Sequence, residues 1–198
     1  MKAEEHYNHL GVRYQRQGAQ DQAIQEFQAA IGLRLDYAEA YNNLGTAYQS
    51  LGRHDQAIRA YQRSVEVKLD MIPGYHKSWQ PLPFTRKSQS SDHRLSRCNS
   101  HFKPKLAVAY VDLGHAYGMS GQLDQAIEEF KNALNLDPNL VEAHYALGVS
   151  FRHQGIFPLA IESLQKAVGQ RPNFTEAYIN LGYAHRDQGT LEDATEAF

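Results

Sequence analysis

The chain has 198 residues, 20 Lys and Arg against 22 Asp and Glu, 42% apolar residues and one Cys. With no run of about 18 apolar residues and no partner for its Cys, it reads as one soluble domain of ordinary charge, neither membrane-spanning nor held by disulfides. Its 14 Gly, 7 Pro, 12 Tyr, 8 Phe and single Trp exclude collagen and bulk disorder, and the polar start from Met1 to Glu5 carries no secretory signal, so a cytoplasmic address is expected.

The first patterned stretch holds Tyr7, Leu10, Gly11 and Tyr14, then Gly18, Ala23 and Phe27. The same set returns as Tyr41, Leu44, Gly45, Tyr48, Gly52, Ala57 and Tyr61. Within each copy, spacings of three, four and seven place the apolar residues on one stripe of a helix. The second Gly breaks that helix before another amphipathic one begins, so each unit is a helical hairpin. Residues 4–71 thus read as two such units. After residue 106 the pattern resumes with Tyr110, Leu113, Gly114, Tyr117, Gly121, Ala126 and Phe130. It continues through His144, Leu147, Gly148, Phe151, Gly155, Ala160 and Leu164, and ends with Tyr178, Leu181, Gly182, His185, Gly189, Ala194 and Phe198. Residues 107–198 are therefore expected to hold two full units and a truncated fifth. Leu10 to Leu44, Leu113 to Leu147 and Leu147 to Leu181 are each 34 residues apart. Gly45, Ala57 and their equivalents are expected to let paired helices approach closely, with Tyr41, Tyr48 and Tyr61 filling the wider parts. Pro138 and Pro172 fall in turns between hairpins, where a missing N–H costs little.

This arrangement resembles the tetratricopeptide repeat family, whose spaced aromatic, Leu-Gly, Ala and Pro positions recur at a 34-residue period. The first two copies depart from the family by lacking the terminal Pro. The resemblance implies an all-α, right-handed α-solenoid of helix-turn-helix units, with the first helix of each hairpin lining a concave groove.

Residues 72–106 interrupt the pattern. They carry seven basic residues (Lys77, Arg86, Lys87, Arg94, Arg97, Lys103 and Lys105) against Asp92, together with four Pro, six Ser and no Ala or Glu. Leu44 to Leu113 spans 69 residues, two periods plus one, and Trp79 and Leu82 reproduce the start of a first helix. Pro81 and Pro83 would cost such a helix roughly 3 kcal/mol each. The segment is therefore read as a degenerate repeat or a disordered basic insert. A pair of compensating frame shifts in the coding DNA would explain its preserved length and lost pattern. Because repeat stability is a nearest-neighbour property, residues 4–71 are expected to be the weaker half unless this segment stacks in place or loops out so that its flanking hairpins touch.

No catalytic constellation stands out. There is no phosphate-binding Gly-rich loop, Gly-x-Ser-x-Gly elbow or His-Glu-x2-His motif, and no cofactor is expected. The ten His residues are scattered, and His144 and His185 take aromatic core positions of the repeat. His93, Cys98 and His101 have metal-like spacing without a fourth ligand, so no metal site is assigned. Binding is the remaining function. First-helix residues outside the hairpin interface are Asn8, His9 and Val12; Asn42, Asn43 and Thr46; Val111, Asp112 and His115; Tyr145 and Val149; and Ile179, Asn180 and Tyr183. Their amides and hydroxyls suit the backbone of an extended peptide, so the expected partner is a disordered segment of another protein. Chaperone-binding members of the family carry paired basic positions that are missing here. Asn43 and Asn180 resemble the asparagine ladder in the repeat arm of O-linked N-acetylglucosamine transferases, which makes a targeting arm of a larger enzyme the alternative reading. Phe198 falls inside a second helix, so the chain looks cut short, with an uncapped apolar face that invites self-association. Nucleic-acid binding through the basic segment is a third reading, opposed by the acidic remainder.

Overall fold

The computed structural model describes residues 2–70 and 102–197. Ten helices and no strand lie among these described residues. They are α1 (Ala3–Arg16), α2 (Gln20–Leu33), α3 (Ala38–Ser50), α4 (His54–Asp70), α5 (Phe102–Met119), α6 (Leu123–Leu136), α7 (Val141–His153), α8 (Phe157–Gln170), α9 (Thr175–Gln188) and α10 (Leu191–Ala197). The helices pair as five hairpins, α1 with α2 through α9 with α10. The chain divides into two compact units, Met1–Ala109 and Tyr110–Phe198.

One turn closes every hairpin. Gly18 adopts φ +78°, a left-handed conformation that a Cβ disfavours, and the chain reverses there with Ala19 N–H donating to Tyr14 C=O at 2.9 Å and Gly18 N–H to Gln15 C=O at 3.1 Å. These bonds satisfy helix-end carbonyls that would otherwise lack partners. The same long bond recurs from Arg53 to Tyr48, Gln122 to Tyr117, Ile156 to Phe151 and Thr190 to His185, at 2.9–3.0 Å. The aromatic or His that closes each first-helix pattern is thus the residue whose carbonyl anchors the turn.

The glycine inside each first helix has a different purpose. A Cβ on Gly11 would lie 2.6 Å from the Phe27 ring, and one on Gly45 would lie 2.7 Å from the Tyr61 ring. Phe130 meets Gly114 and Leu164 meets Gly148 in the same way. The room that glycine makes is therefore filled first by the large side chain of the second helix, and at Gly148 also by backbone, with Ala160 C=O 3.1 Å from the added Cβ. Phe27, Tyr61, Phe130 and Leu164 are at most 2% exposed, and burying each contributes about 1.5–3 kcal/mol.

In the first unit, Ser64 replaces the Ala found at this place in the other hairpins (Ala30, Ala133 and Ala167), and its buried hydroxyl donates to Ala38 C=O at 2.9 Å. Arg34, just past α2, lies 3.6 Å above the Tyr37 ring and within 4.0 Å of the Glu4 carboxylate. Burial, with the nearby Glu39 charge adding to it, pushes the Tyr37 phenol up. Helix α5 starts at Phe102, inside the stretch that the sequence sets apart, with Pro104 in its first turn, where a missing N–H breaks no helical hydrogen bond. Lys68 Nζ, near the end of α4, donates to Lys105 C=O at 3.1 Å, while Leu106 and Ala107 are buried. The described residues on the two sides of the segment thus touch. Residues 71–101, with the degenerate-repeat reading and the His93, Cys98 and His101 spacing, lie outside the described residues.

In the second unit, the Arg171 guanidinium donates to the Glu142 carboxylate and lies 5.1 Å from the Phe174 ring. Gln154 Nε2 donates to Asp124 Oδ1 at 2.7 Å, tying successive hairpins together. His144 is 8% exposed, and its Nε2–H donates to Pro138 C=O at 2.9 Å, a core role in keeping with its place in the repeat.

Candidate functional site

In the first unit, the stripe left outside the hairpin core by α1 and α3 divides between bridging and open positions. Asn8 is fully buried. Its Nδ2 donates to Glu39 Oε1 at 3.3 Å, and its Oδ1 accepts from Asn43 Nδ2 at 3.0 Å. Asn8 is therefore a joint between first helices, and the expectation that it faces a ligand is corrected on this ground. His9 is exposed, while Val12, Asn42, Asn43 and Thr46 are half-buried. Asn42 Oδ1 lies out of solvent and accepts from no described residue.

The Tyr61 hydroxyl reaches this stripe past Gly45. It donates to Gln49 Oε1 at 2.8 Å and lies 3.1 Å from Thr46 Oγ1, which in turn is 3.2 Å from Asn42 C=O. Sequence reasoning takes Tyr61 as a core aromatic and misses this polar contact. The available signal is that the other hairpins carry Phe or Leu at the same place.

In the second unit, the groove candidates are Val111, Asp112 and His115 on α5, Tyr145 and Val149 on α7, and Ile179, Asn180 and Tyr183 on α9. Val111 is buried, at 5% exposure. Asp112, Tyr145, Val149 and Asn180 are half-buried, and His115, Ile179 and Tyr183 are exposed. His115 packs edge-on to Phe130 with centroids 5.4 Å apart. Desolvation by the atoms crowded around it holds the imidazole below its ordinary value despite its open surface, and the Asp112 charge opposes that effect. Asn180 Nδ2 donates to Tyr145 Oη at 3.2 Å and to Glu176 C=O at 2.8 Å. Burial, with Glu176 adding to it, pushes the Tyr145 phenol up.

Asn43 to Asn8 and Asn180 to Tyr145 are the same joint in two units, each spanning 35 residues. The amide that the ladder resemblance assigns to a ligand thus holds one first helix against the preceding one.

The last turns of α7 and α9 add residues that sequence reasoning passes over. Arg152 lies three residues beyond Val149 on the same helix face; Arg186 and Asp187 lie three and four beyond Tyr183. The Arg152 and Arg186 guanidiniums stand 5.7 Å and 4.9 Å from the Tyr183 ring centroid. Asp187 lies 3.5 Å from Arg152 and accepts from Arg186 at 2.7 Å, and that bond from Arg186 holds its carboxyl below the usual range. Among the described residues, no group of three or more His, Cys, Asp or Glu is placed to hold a metal ion, and no helix is long and apolar enough to cross a membrane.

A family model described as "TPR repeat" matches residues 11–52 and 114–155, and two described as "Tetratricopeptide repeat" match 38–69 and 157–198. No curated protein sequence matches the chain. Among solved structures, a crystal structure of MamA is 23% identical, with a TM-score of 0.71 over 95% of this chain and 90% of that one. MamA from Desulfovibrio magneticus RS-1 is 16% identical, with a TM-score of 0.75 over 100% and 93%. YrrB, described as a TPR protein with an unusual peptide-binding site, is 16% identical, with a TM-score of 0.65 over 96% and 80%. These likenesses establish the fold as an all-α solenoid of helical hairpins.

Proposed function

The chain belongs to the tetratricopeptide repeat family, and from that premise we propose that it is a scaffold whose first-helix stripe holds an extended segment of another protein. One observation carries the reading. His9, Asn42, Asn43, Thr46, Asp112, His115, Tyr145, Val149, Asn180 and Tyr183 all keep solvent-accessible surface, although neighbouring positions on the same helices are buried. A surface of amide, hydroxyl, carboxylate, imidazole and small apolar groups can pair with the backbone of a strand-like peptide while its side chains find shallow contacts. The 220 Å³ hollow beside Tyr41, Leu44 and Tyr48 is wide open, unlike a cleft that encloses a small molecule.

The test places p-benzoylphenylalanine at Thr46 or Val149, and at Gln165 on the exposed face of α8 as a control, in the full chain. Each variant is irradiated with a library of random extended peptides. Labelling at Thr46 and Val149 that exceeds labelling at Gln165 by tenfold or more is expected. Equal labelling at all three would refute the groove. The reading as a targeting arm of a larger glycosyltransferase uses the same stripe and rests on Asn43 and Asn180, whose amides hold neighbouring helices together.

A further inference from the structure

The repeat reads straight through the α4–α5 joint once residues 70–104 are set aside. Val67, Lys68 and Leu69, followed at once by Lys105, Leu106, Ala107, Val108, Ala109 and Tyr110, align position for position with Leu33, Arg34 and Leu35, followed by Asp36, Tyr37, Ala38, Glu39, Ala40 and Tyr41. The 69 residues from Leu44 to Leu113 then shorten by 35 to the 34-residue period of the other hairpins.

The first unit supplies the geometry that letters alone lack. Lys68 Nζ donates to Lys105 C=O at 3.1 Å, and the aligned Arg34 lies 3.7 Å from Asp36 Oδ1. Leu106, Ala107 and Ala109 are buried, like the aligned Tyr37, Ala38 and Ala40. A hairpin stacked between α4 and α5 would add at least one helix layer, about 8–10 Å, to the distance between them. The Lys68 side chain could not then reach the first turn of α5.

The joint differs from its α2–α3 counterpart in its turn. There the chain reverses through residues 34–37, with Tyr37 N–H donating to Arg34 C=O at 3.2 Å. Here α4 runs to Asp70, three residues past the position aligned with the end of α2, and α5 begins at Phe102, five residues before the position aligned with the start of α3. At 1.5 Å of rise per residue these stubs project roughly 4.5 Å and 7.5 Å beyond the joint. The chain leaves and returns through them while the packing beneath keeps the register of the repeat.

We propose that α5 follows α4 directly in the succession of repeats, and that residues 70–104 are added at their joint without taking a place in the stack. The length of one period is then the length of the addition, not the trace of a repeat that has lost its pattern. The hairpin of α3 and α4 has its neighbour in the first turns of α5, so residues 4–71 are not a free-standing pair of repeats. The stripe of the first unit passes from α1 through α3 onto α5 with no hairpin between, and Val108, 49% exposed, follows Glu5 and Glu39 in one row.

The experiment starts from the full chain in a Cys98→Ser background. The pair Lys68→Cys and Lys105→Cys, treated with bismaleimidoethane, should be joined within one molecule, read by mass spectrometry after proteolysis. The pair Arg53→Cys and Lys105→Cys, at the other end of α4, should not. Next, a variant joining Leu69 to Lys105 is compared with the full chain by native-state hydrogen exchange, beside a version whose new joint carries the sequence of residues 34–37 in place of Lys68, Leu69, Lys105 and Leu106. At least one of the two should keep amide protection in α4, and in α5 from Ala107 onward, within about tenfold of the full chain. Linkage of Lys68→Cys to Lys105→Cys no greater than in the control pair, or protection lost in both shortened versions, would overturn the proposal.

Discussion

Replacing Gly45 by Ala tests the packing rule on which every hairpin depends. The new Cβ would lie 2.7 Å, 2.8 Å and 2.9 Å from three carbons of the Tyr61 ring, about 1 Å inside the 3.5–4.0 Å at which carbon atoms rest. The ring cannot retreat easily. It is 2% exposed, its hydroxyl is tied to Gln49, and its neighbours Ala57 and Ser64 are fully buried. Overpacking of this kind costs about 1–3 kcal/mol, offset by about 0.5–1 kcal/mol from exchanging Gly for Ala within a helix. The net expectation is a loss of up to about 2.5 kcal/mol. Gly32→Ala is the matched control, because a Cβ there meets nothing within 4 Å. It should leave stability unchanged or raise it by up to about 1 kcal/mol. Urea unfolding followed by circular dichroism compares the two. Native-state hydrogen exchange, which does not require a single cooperative transition, should place the loss in α3 and α4. If Gly45→Ala stabilises the chain as Gly32→Ala does, the ring does not occupy the space that the glycine leaves, and the account of the hairpin core is wrong.

Other expectations follow from individual contacts. Asn8→Ala should cost about 1–3 kcal/mol, because it strips a buried joint and leaves the Asn43 amide without its acceptor; thermal melts check it, and an unchanged midpoint would mean that the joint is not formed in solution. Tyr61→Phe should cost about 0.5–2 kcal/mol by removing the hydroxyl that serves Gln49, measured by urea unfolding, with no loss expected if that hydroxyl is not engaged. The Arg171 bond holds the Glu142 carboxyl below its ordinary range, so the folded state binds a proton there less readily than the unfolded one does. Its stabilisation is therefore complete above the ordinary carboxylate value and is lost as pH falls through the lowered one. Both side chains are more than two-fifths exposed, so the effect is under about 1 kcal/mol. Unfolding of the full chain and of Arg171→Gln should diverge at neutral pH and converge in acid; curves separated equally at every pH would reject the linkage.

The hairpins were legible because their signals are local and repeated. A glycine seven residues after Gly11, Gly45, Gly114, Gly148 or Gly182 marks a left-handed turn, and no other reading of that spacing accommodates the following Ala and aromatic. The purpose of the inner glycine was only half legible. Spacing shows that something must come close to Gly45, but not whether it is a backbone or a ring, since that depends on where the second helix crosses. The candidate stripe was legible as a set of positions and not as a set of free groups. Asn8 and His9 are adjacent in the chain and equally polar, yet one is sealed between α1 and α3 and the other lies in water. The difference comes from the neighbouring hairpin, which no single-helix pattern encodes. Arg152 and Arg186 were overlooked for a related reason. At the last turn of a helix a basic residue is already accounted for by the macrodipole, and only the approach of Arg152 on α7 to Tyr183 and Asp187 on α9, which Arg186 also contacts, shows that the two arginines share them.

That pairing of structural and open groups on one stripe bears on how such a surface can work. Asn43 and Asn180 each place an amide on the preceding first helix, so residues of the proposed ligand stripe also set the spacing between hairpins. Any peptide that draws one of these amides toward itself must leave a bond between hairpins unmade, at about 0.5–1.5 kcal/mol, and any peptide that pairs only with groups outside these joints, such as His9, need not. Tight ligands should therefore belong to the second kind and leave the repeat spacing unchanged. Asn43→Ala then separates the two cases. A ligand of the second kind should bind it with little change while the variant melts earlier, whereas a ligand that competes for the amide should lose affinity in proportion to that bond. Titration calorimetry and a melt on the same sample read both quantities. Loss of affinity without loss of stability would show that the Asn43 amide faces the ligand and not Asn8.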